Sequence, residues 1–504
     1  MVLLITDNET GISKIDAAFG PVVEFLEKIF FWDPVAALGI DAGARIPVVV
    51  LWLILGGIFF TFRMRFVNVR AFTHAFGLIT GKYDKKGDKG EVSHFQALST
   101  ALSATVGLGN IAGVAIAVTV GGPGATFWMI LAGFFGMSMK FTECTLGVKY
   151  RNIDASGRVS GGPMYYLSKG LKNRNLGLLG QILAVFSAIM MVLASFGGSN
   201  MFQANQSFAQ VKLIFPAMEP YGFWFGIALA VIIAVVVSGG IRSIAGVAAR
   251  LVPFMAILYV GAALVIIFIN IARIDEVFVI IVKGAFSPAA LKGGFIGVLI
   301  TGFQRGAFSN EAGVGSAAVA HSAARTNIPV KEGIVALVEP FIDTVVICTM
   351  TALVIIFTGV YEAGSGLEGA QLTSMAFATV FPWFPYLLVV SILCFAFSTM
   401  ISWSYYGLNG FKYLLEKPAA RIGLPRGVLP VTYYMVFLSF TVIGASSGLN
   451  NVIAFSDMMV LTMAFPNIIG LVIMAPEVYT DLKVYMTEYR NRGLGESPLS
   501  DRSD

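Results

Sequence analysis

Apolar residues run along this chain in long stretches separated by short charged loops. A helix of about 20 apolar residues crosses a bilayer core. Stretches of that order lie at 46–63, 95–120, 123–147, 178–205, 222–239, 244–272, 293–315, 332–358, 384–410, 429–446 and 450–475. The pattern predicts an all-α integral membrane protein with eleven transmembrane helices. Residues 14–31 mix apolar and charged positions around Pro21, which predicts an interfacial amphipathic helix rather than a span.

Two of the stretches carry residues that a plain spanning helix avoids. The 95–120 stretch contains Gly107, Gly109, Asn110 and Gly113. Glycine loosens a helix, and an amide in hydrocarbon is costly without a partner. The 293–315 stretch contains Gly302-Phe-Gln-Arg-Gly-Ala-Phe-Ser-Asn-Glu-Ala-Gly-Val-Gly315. Interrupted helices near mid-membrane free backbone groups to hold an ion and a small charged solute, as in secondary transporters. Close packing through small residues is the plainer alternative for the first motif, and Thr105 and Asn110 tip the balance towards binding.

Charge gives the topology. Lys and Arg gather in alternate loops: Arg65, Arg70, Lys82, Lys85, Lys86 and Lys89 in the first, then Lys149, Arg151, Arg158, Lys169, Lys172 and Arg174, then Arg242, then Arg325, then Lys412, Lys417, Arg421 and Arg426. The tail adds Lys483, Arg490 and Arg492. The other side is acidic or poor in Lys and Arg, with Asp7, Glu9, Asp16, Glu24, Glu27, Asp33 and Asp41 before the first span and Glu362 and Glu368 later. Basic loops stay in the cytoplasm, so the N-terminus is expected outside and the C-terminus inside. The interrupted spans then run in opposite directions, five spans apart. That predicts two five-helix inverted repeats, 94–272 and 293–475. Before them come an extracellular segment 1–45 and a leading span with its cytoplasmic loop, 46–93. A cytoplasmic tail, 476–504, follows.

Composition excludes other classes. Hydrophobic residues make up 57% of the 504 and charged residues 12%, about half the charged share of a soluble domain. The net charge of +5 sits in short loops and implies no nucleic-acid partner. Cys144, Cys348 and Cys394 lie in apolar context and suggest neither disulfides nor a thiolate metal site. His74, His94 and His321 are too scattered for zinc. No signal peptide is expected at the N-terminus.

Further polar groups inside spans are candidates for ligands. Gln304, Ser309 and Asn310 are neutral and suit a solute, whereas Arg305 and Glu311 read as a compensating salt bridge. Glu339 and Asp343, four apart around Pro340, share a helix face and suit a second ion, a proton or an ammonium, or else a structural partner. Ser398 and Thr399 offer adjacent hydroxyl oxygens to a hard cation, unless they bond back to their own helix. Lys140 and Glu143, three apart, read as a snorkelling pair.

The Gly109-Asn-Ile-Ala-Gly113 stretch, the Ser160-Gly-Gly-Pro-Met-Tyr-Tyr166 loop and the Gln304-Arg-Gly-Ala-Phe-Ser-Asn-Glu-Ala-Gly313 stretch occur together and in order. The chain resembles the sodium:alanine symporter family, across most of its length. The resemblance implies a LeuT-type fold. It implies sodium held by Ser398, Thr399 and the carbonyls of Ser103 and Val106. A further sodium position would involve Thr105 and Asn110. The expected function is sodium-coupled uptake of small neutral amino acids, alanine and glycine above all, at the cell membrane. Sodium travels with the substrate and no other cofactor is expected. The substrate carboxylate is expected against the amides around Gly107, Gly109 and Asn110, its ammonium against the 293–315 span, and Phe202, Phe303 and Trp403 as bulky walls. A proton-coupled carrier using Glu339 or Asp343 is the alternative. A channel would need a continuous polar pore, and an enzyme a catalytic cluster; neither pattern stands out.

Overall fold

Long apolar helices, most of them continuous, make up the protein. The computed structural model describes residues 14–491 apart from 42, 86, 288–293, 363–366, 368 and 426. Of the charged residues in the loop bias, Asp7, Glu9, Lys86, Glu368, Arg426 and Arg492 lie outside the described residues, as does the tail beyond 491.

Among the described residues, seven helical segments are long and apolar enough to cross a membrane. An eighth span forms if His94–Thr105 and Leu108–Gly121, bent by 57° at their junction, count as one. These cover the stretches expected at 95–120, 178–205, 222–239, 244–272, 332–358, 384–410, 429–446 and 450–475. The other three fall on helices of different character. Val48–Arg63 is apolar but only 16 residues long. Ala125–Lys149 carries Lys140 and Glu143 along its length. The 293–315 stretch is Gly294–Asn310, a break, and Ala317–His321. The amphipathic segment is the helix Lys14–Phe30, which packs on Leu449–Thr462.

Burial sorts the spans into two shells. The hydropathic windows of Gly240–Ile269 and Val428–Ser446 are 28% buried, and those of Pro329–Thr358 and Phe384–Arg421 61%. Ile257, Phe268 and Met435 face outward as a lipid-facing ring should. The inner helices surround the two broken ones.

Each break has a local cause. The first helix starts on a capping box: the Ser93 hydroxyl accepts the Gln96 N–H, and the Gln96 side chain accepts the Ser93 N–H. It ends at Val106 and Gly107, where the backbone turns extended. No side chain fits at Gly107, because a Cβ there would strike the Thr399 hydroxyl. The second break spans 311–316. Glu311 sits at φ +54°, unusual for a non-glycine residue, and Gly313 and Gly315 follow at φ +93° and +85°. The Asn310 side chain accepts the Ala312 N–H and stabilises the turn.

The start of the first broken helix and the end of the second are stitched together. Val92 and Ala324 form a parallel bridge. The Arg151 guanidinium donates to the carbonyls of Ser322, Ala324, Lys89 and Thr326, each at 2.7 Å. The Ser160–Tyr166 motif, expected as a loop, is the end of a two-stranded hairpin, Asn152–Ile153 with Val159–Ser160, followed by the helix Pro163–Lys172.

Candidate functional site

A small cavity lies where the two broken helices meet the Gly177–Ile214 and Phe384–Arg421 helices. Thr105, Gly109, Gln203, Phe308, Glu311 and Thr399 are among its lining. The cavity is small, with room for about one water.

Thr399 is the most informative side chain in the lining. Its hydroxyl is buried, makes no hydrogen bond, and faces Gly107 at the first break. A buried hydroxyl without a partner is costly and points to a ligand. Ser398 and Ser103 stand beside it. The Ser103 hydroxyl donates to the Ser398 carbonyl at 2.7 Å, and Ser402 donates to Ser103 at 2.9 Å. The Ser398 hydroxyl bonds back to Phe395 at 2.9 Å. Ser103 thus meets Ser398, Gly107 faces Thr399, and of the three hydroxyls that of Thr399 is left unpartnered.

Asn110 lies off the cavity. Its carboxamide oxygen accepts the Gly107 N–H at 2.9 Å, and its amide donates to the Asp343 carboxylate at 2.7 Å and carbonyl at 3.0 Å. The Leu108 N–H is taken by Gln203 at 3.1 Å. Two of the amides expected to meet a substrate carboxylate thus already have partners.

Asp343 sits on a π-helical stretch, Phe341–Cys348, just after Pro340. Such bulges recur at functional sites. Its carboxylate is fully buried and accepts from Asn110, from Ser309 at 2.8 Å and from Thr344 at 2.7 Å. Among the described residues it has no salt-bridge partner. It thus joins the first broken helix to the second as an uncompensated carboxylate, the kind that binds a cation or a proton.

Several expected placements are corrected. Arg305 pairs with Asp457, not Glu311. Glu311 instead accepts from Trp403 at 2.9 Å and from Ser316 at 2.6 Å. Lys140 does not snorkel: it is fully buried and pairs with Glu339 at 2.8 Å, while Glu143 accepts from Asn467. One oxygen of Glu339 therefore holds a lysine, which lies on a different helix from the partners of Asp343. Gln304 donates to Asp457 outside the cavity, and Asn310 donates to Thr344. Of the proposed walls, Phe202 stands behind Phe308 at 5.7 Å, Phe303 faces a separate pocket with Leu53 and Met139, and Trp403 is occupied with Glu311. The aromatic that lines the cavity is Phe308. Gln203 and Ser199, also in the lining, follow from no break in the apolar pattern; the polar run Gly197–Asn200 was the available signal.

Outside the cavity a wider vestibule is lined by Glu27, Arg45, Gln304, Arg305, Asp457 and Met458, among others. Phe308 and Val460 line the cavity one helical turn beyond Arg305 and Asp457. The Arg305–Asp457 pair therefore lies between vestibule and cavity, with the guanidinium 5.5 Å over the Phe308 ring.

The sodium:alanine symporter family model matches residues 39–498. The sodium/alanine symporter AgcS of Methanococcus maripaludis is 39% identical over 87% of this chain and 94% of its own. The probable sodium/glutamine symporter GlnT of Bacillus subtilis is 33% identical over 90% of each. The crystal structure of MhsT with L-phenylalanine has a TM-score of 0.48 at 14% identity, covering 79% of this chain and 100% of that one, too remote to bear on the assignment. With broken helices enclosing a small polar cavity and a family match along most of its length, the chain belongs to the sodium:alanine symporter family, as a multi-pass membrane carrier that couples amino-acid transport to a cation.

Proposed function

We propose that this protein couples inward sodium movement to the uptake of small neutral amino acids, alanine and glycine above all, by alternating access. The observation that carries the ion site is the unpartnered Thr399 hydroxyl facing the first break. Ser398, Thr399 and the carbonyls of Ser103 and Val106 make a neutral shell of hard oxygens, which suits an alkali cation that must also be released. The substrate sits in the adjoining cavity. Glu311 meets its ammonium, and Gly109, together with Leu108 once Gln203 yields, meets its carboxylate. Phe308 and Val460 limit its side chain. One methylene against a rigid wall is worth about 1–3 kcal/mol, so leucine is transported poorly.

The loop charges support an outside N-terminus and a cytoplasmic C-terminus. The two breaks, five spans apart, support an eleven-span LeuT-type arrangement with inverted repeats at 94–272 and 293–475. The test is alanine uptake into proteoliposomes with sodium replaced by choline. Loss of uptake is the expected result. Sodium-independent uptake, or saturable leucine transport at a comparable rate, overturns the reading.

A second reading, proton coupling, draws support from the buried, unpaired Asp343 carboxylate. It requires uptake to follow an imposed pH gradient with no sodium present.

A further inference from the structure

A line of ionisable side chains runs from the basic-loop face towards the cavity, and sodium coupling leaves it unused. Asp84, about half exposed, faces His94 Nε2 at 3.6 Å. His94 Nδ1 bonds one oxygen of Glu332. The other oxygen holds His321 Nδ1 at 2.6 Å. His321 Nε2 faces Glu339 Oε2 at 3.6 Å, and Glu339 Oε1 holds Lys140 Nζ at 2.8 Å. Every member from His94 to Lys140 is at most 2% exposed. Glu143 and Glu311 act on Lys140 electrostatically, and Glu311 lines the cavity.

Three features separate this line from a set of ion pairs that merely glue helices. The first is alternation. Each histidine stands between two carboxylates, so both ring nitrogens face an acceptor. An imidazole can accept a proton on one nitrogen and release one from the other. Chains of this composition relay protons inside membranes.

The second is an open link. His321 Nε2 and Glu339 Oε2 are both buried and both lack a hydrogen-bond partner. They face each other just beyond bonding distance, so a small rotation of either side chain closes or opens the chain.

The third is charge. Glu143, Glu311, Glu332 and Glu339 outnumber Lys140, His94 and His321 by one. At the Asp84 end, Asp84 and Asp88 stand against Lys331, Arg151 and Lys85. At the Lys140 end the neighbours are Cys144, Tyr166, Tyr406 and Asp343. With every carboxylate ionised and Lys140 charged, the line keeps an excess negative charge where such charge is costly, and a proton on His321 lowers it while His94 stays neutral and free to accept.

We propose that the line His94–Glu332–His321–Glu339–Lys140 is a proton-binding relay. It holds one exchangeable proton and releases it to the Asp84 face when a cation occupies the cavity region. The balance is simple. Sodium brings one positive charge in. A proton passes from His321 to Glu332, on to His94, and to water beside Asp84. The buried charge is unchanged. The orientation and the ion site rest on the function proposed above.

The experiment uses the purified full chain in weakly buffered detergent solution with a pH-indicator dye. Sodium chloride is added against a choline chloride control, then alanine, with radiolabelled alanine binding measured in parallel. Between about pH 5.5 and 8.5, where histidines exchange protons, sodium should release up to about one proton per carrier. His321→Gln and Glu332→Gln should lose most of the release, while Glu276→Gln, at an exposed position paired with Arg273, keeps it. Sodium-dependent alanine binding by the unmodified protein with no release at any pH in that interval overturns the relay and leaves the transport reading intact. Proton release by sodium without alanine binding supports the relay and overturns the substrate assignment.

Discussion

Thr399 and Ser398 are neighbours in sequence but differ in what their hydroxyls already do. Ser398 bonds back to Phe395, whereas Thr399 has no partner. Thr399→Ala should therefore raise the sodium concentration for half-maximal alanine uptake more than Ser398→Ala does. An oxygen ligand lost from a buried site costs about 1–3 kcal/mol, so the expected shift for Thr399→Ala is roughly tenfold, with Thr399→Ser close to the parent. A sodium titration of uptake checks it, and equal, unshifted curves for both alanine variants would move the ion to Asp343. Asn110→Ala acts differently, because it leaves the Gly107 N–H without its acceptor and removes one of the three donors to Asp343. Its expected signature is lower thermal stability in detergent, by about 1–3 kcal/mol, with the loss present whether or not sodium is added.

The first broken helix depends on Gly107 being a glycine. A methyl there would meet the Thr399 hydroxyl and stand 3.2 Å from Gln203. Gly107→Ala should depress sodium-dependent uptake more than tenfold, since overpacking by one carbon costs about 1–3 kcal/mol. Gly246→Ala, in the Gly240–Ile269 helix with nothing within 4 Å of the added carbon, is the matched control and should leave uptake unchanged. Normal uptake by Gly107→Ala would mean that Thr399 does not sit against the break during transport. Both interruptions were legible in the sequence because glycine, asparagine and charge are conspicuous inside apolar runs. What was not legible is which groups meet across the fold. Spacing along a helix suggests partners three or six residues away, Glu143 for Lys140 and Glu311 for Arg305. The actual partners, Glu339 and Asp457, are 199 and 152 residues distant. Gln203 escaped notice because the π-helical turn Gly197–Met201 that aims its neighbours inward leaves no periodic signature.

At the scale of the whole molecule, the polar ties divide unevenly. The helices bearing residues 94–121, 125–149, 294–321 and 329–358 are joined to one another by ionic and carboxylate contacts: Lys140–Glu339, His94–Glu332–His321, and Asp343 with Asn110 and Ser309. Among the described residues, their hydrogen bonds to the Phe384–Arg421 helix are few: Ser103 with Ser398 and Ser402, and Glu311 with Trp403. The four helices should therefore move as a unit against that neighbour. Sodium between Thr399 and the first break would add a bond across this boundary, which is how it could favour one arrangement and so favour substrate. Two kinds of variant should then separate in thermal unfolding. Ligand that binds the folded state adds RT ln(1 + [L]/Kd), about 2.7 kcal/mol at a hundred times Kd. Thr399→Ala should keep the parent stability without sodium and lose most of the sodium-dependent gain. Lys140→Met strands buried Glu339, at a cost of about 3–5 kcal/mol. It should lower stability at every sodium concentration yet retain the gain, and adding Glu339→Gln should restore part of the loss. If sodium stabilises Thr399→Ala as much as the parent, the ion does not bridge this boundary, and the coupling of ion to substrate must run through Asp343 inside the four-helix unit.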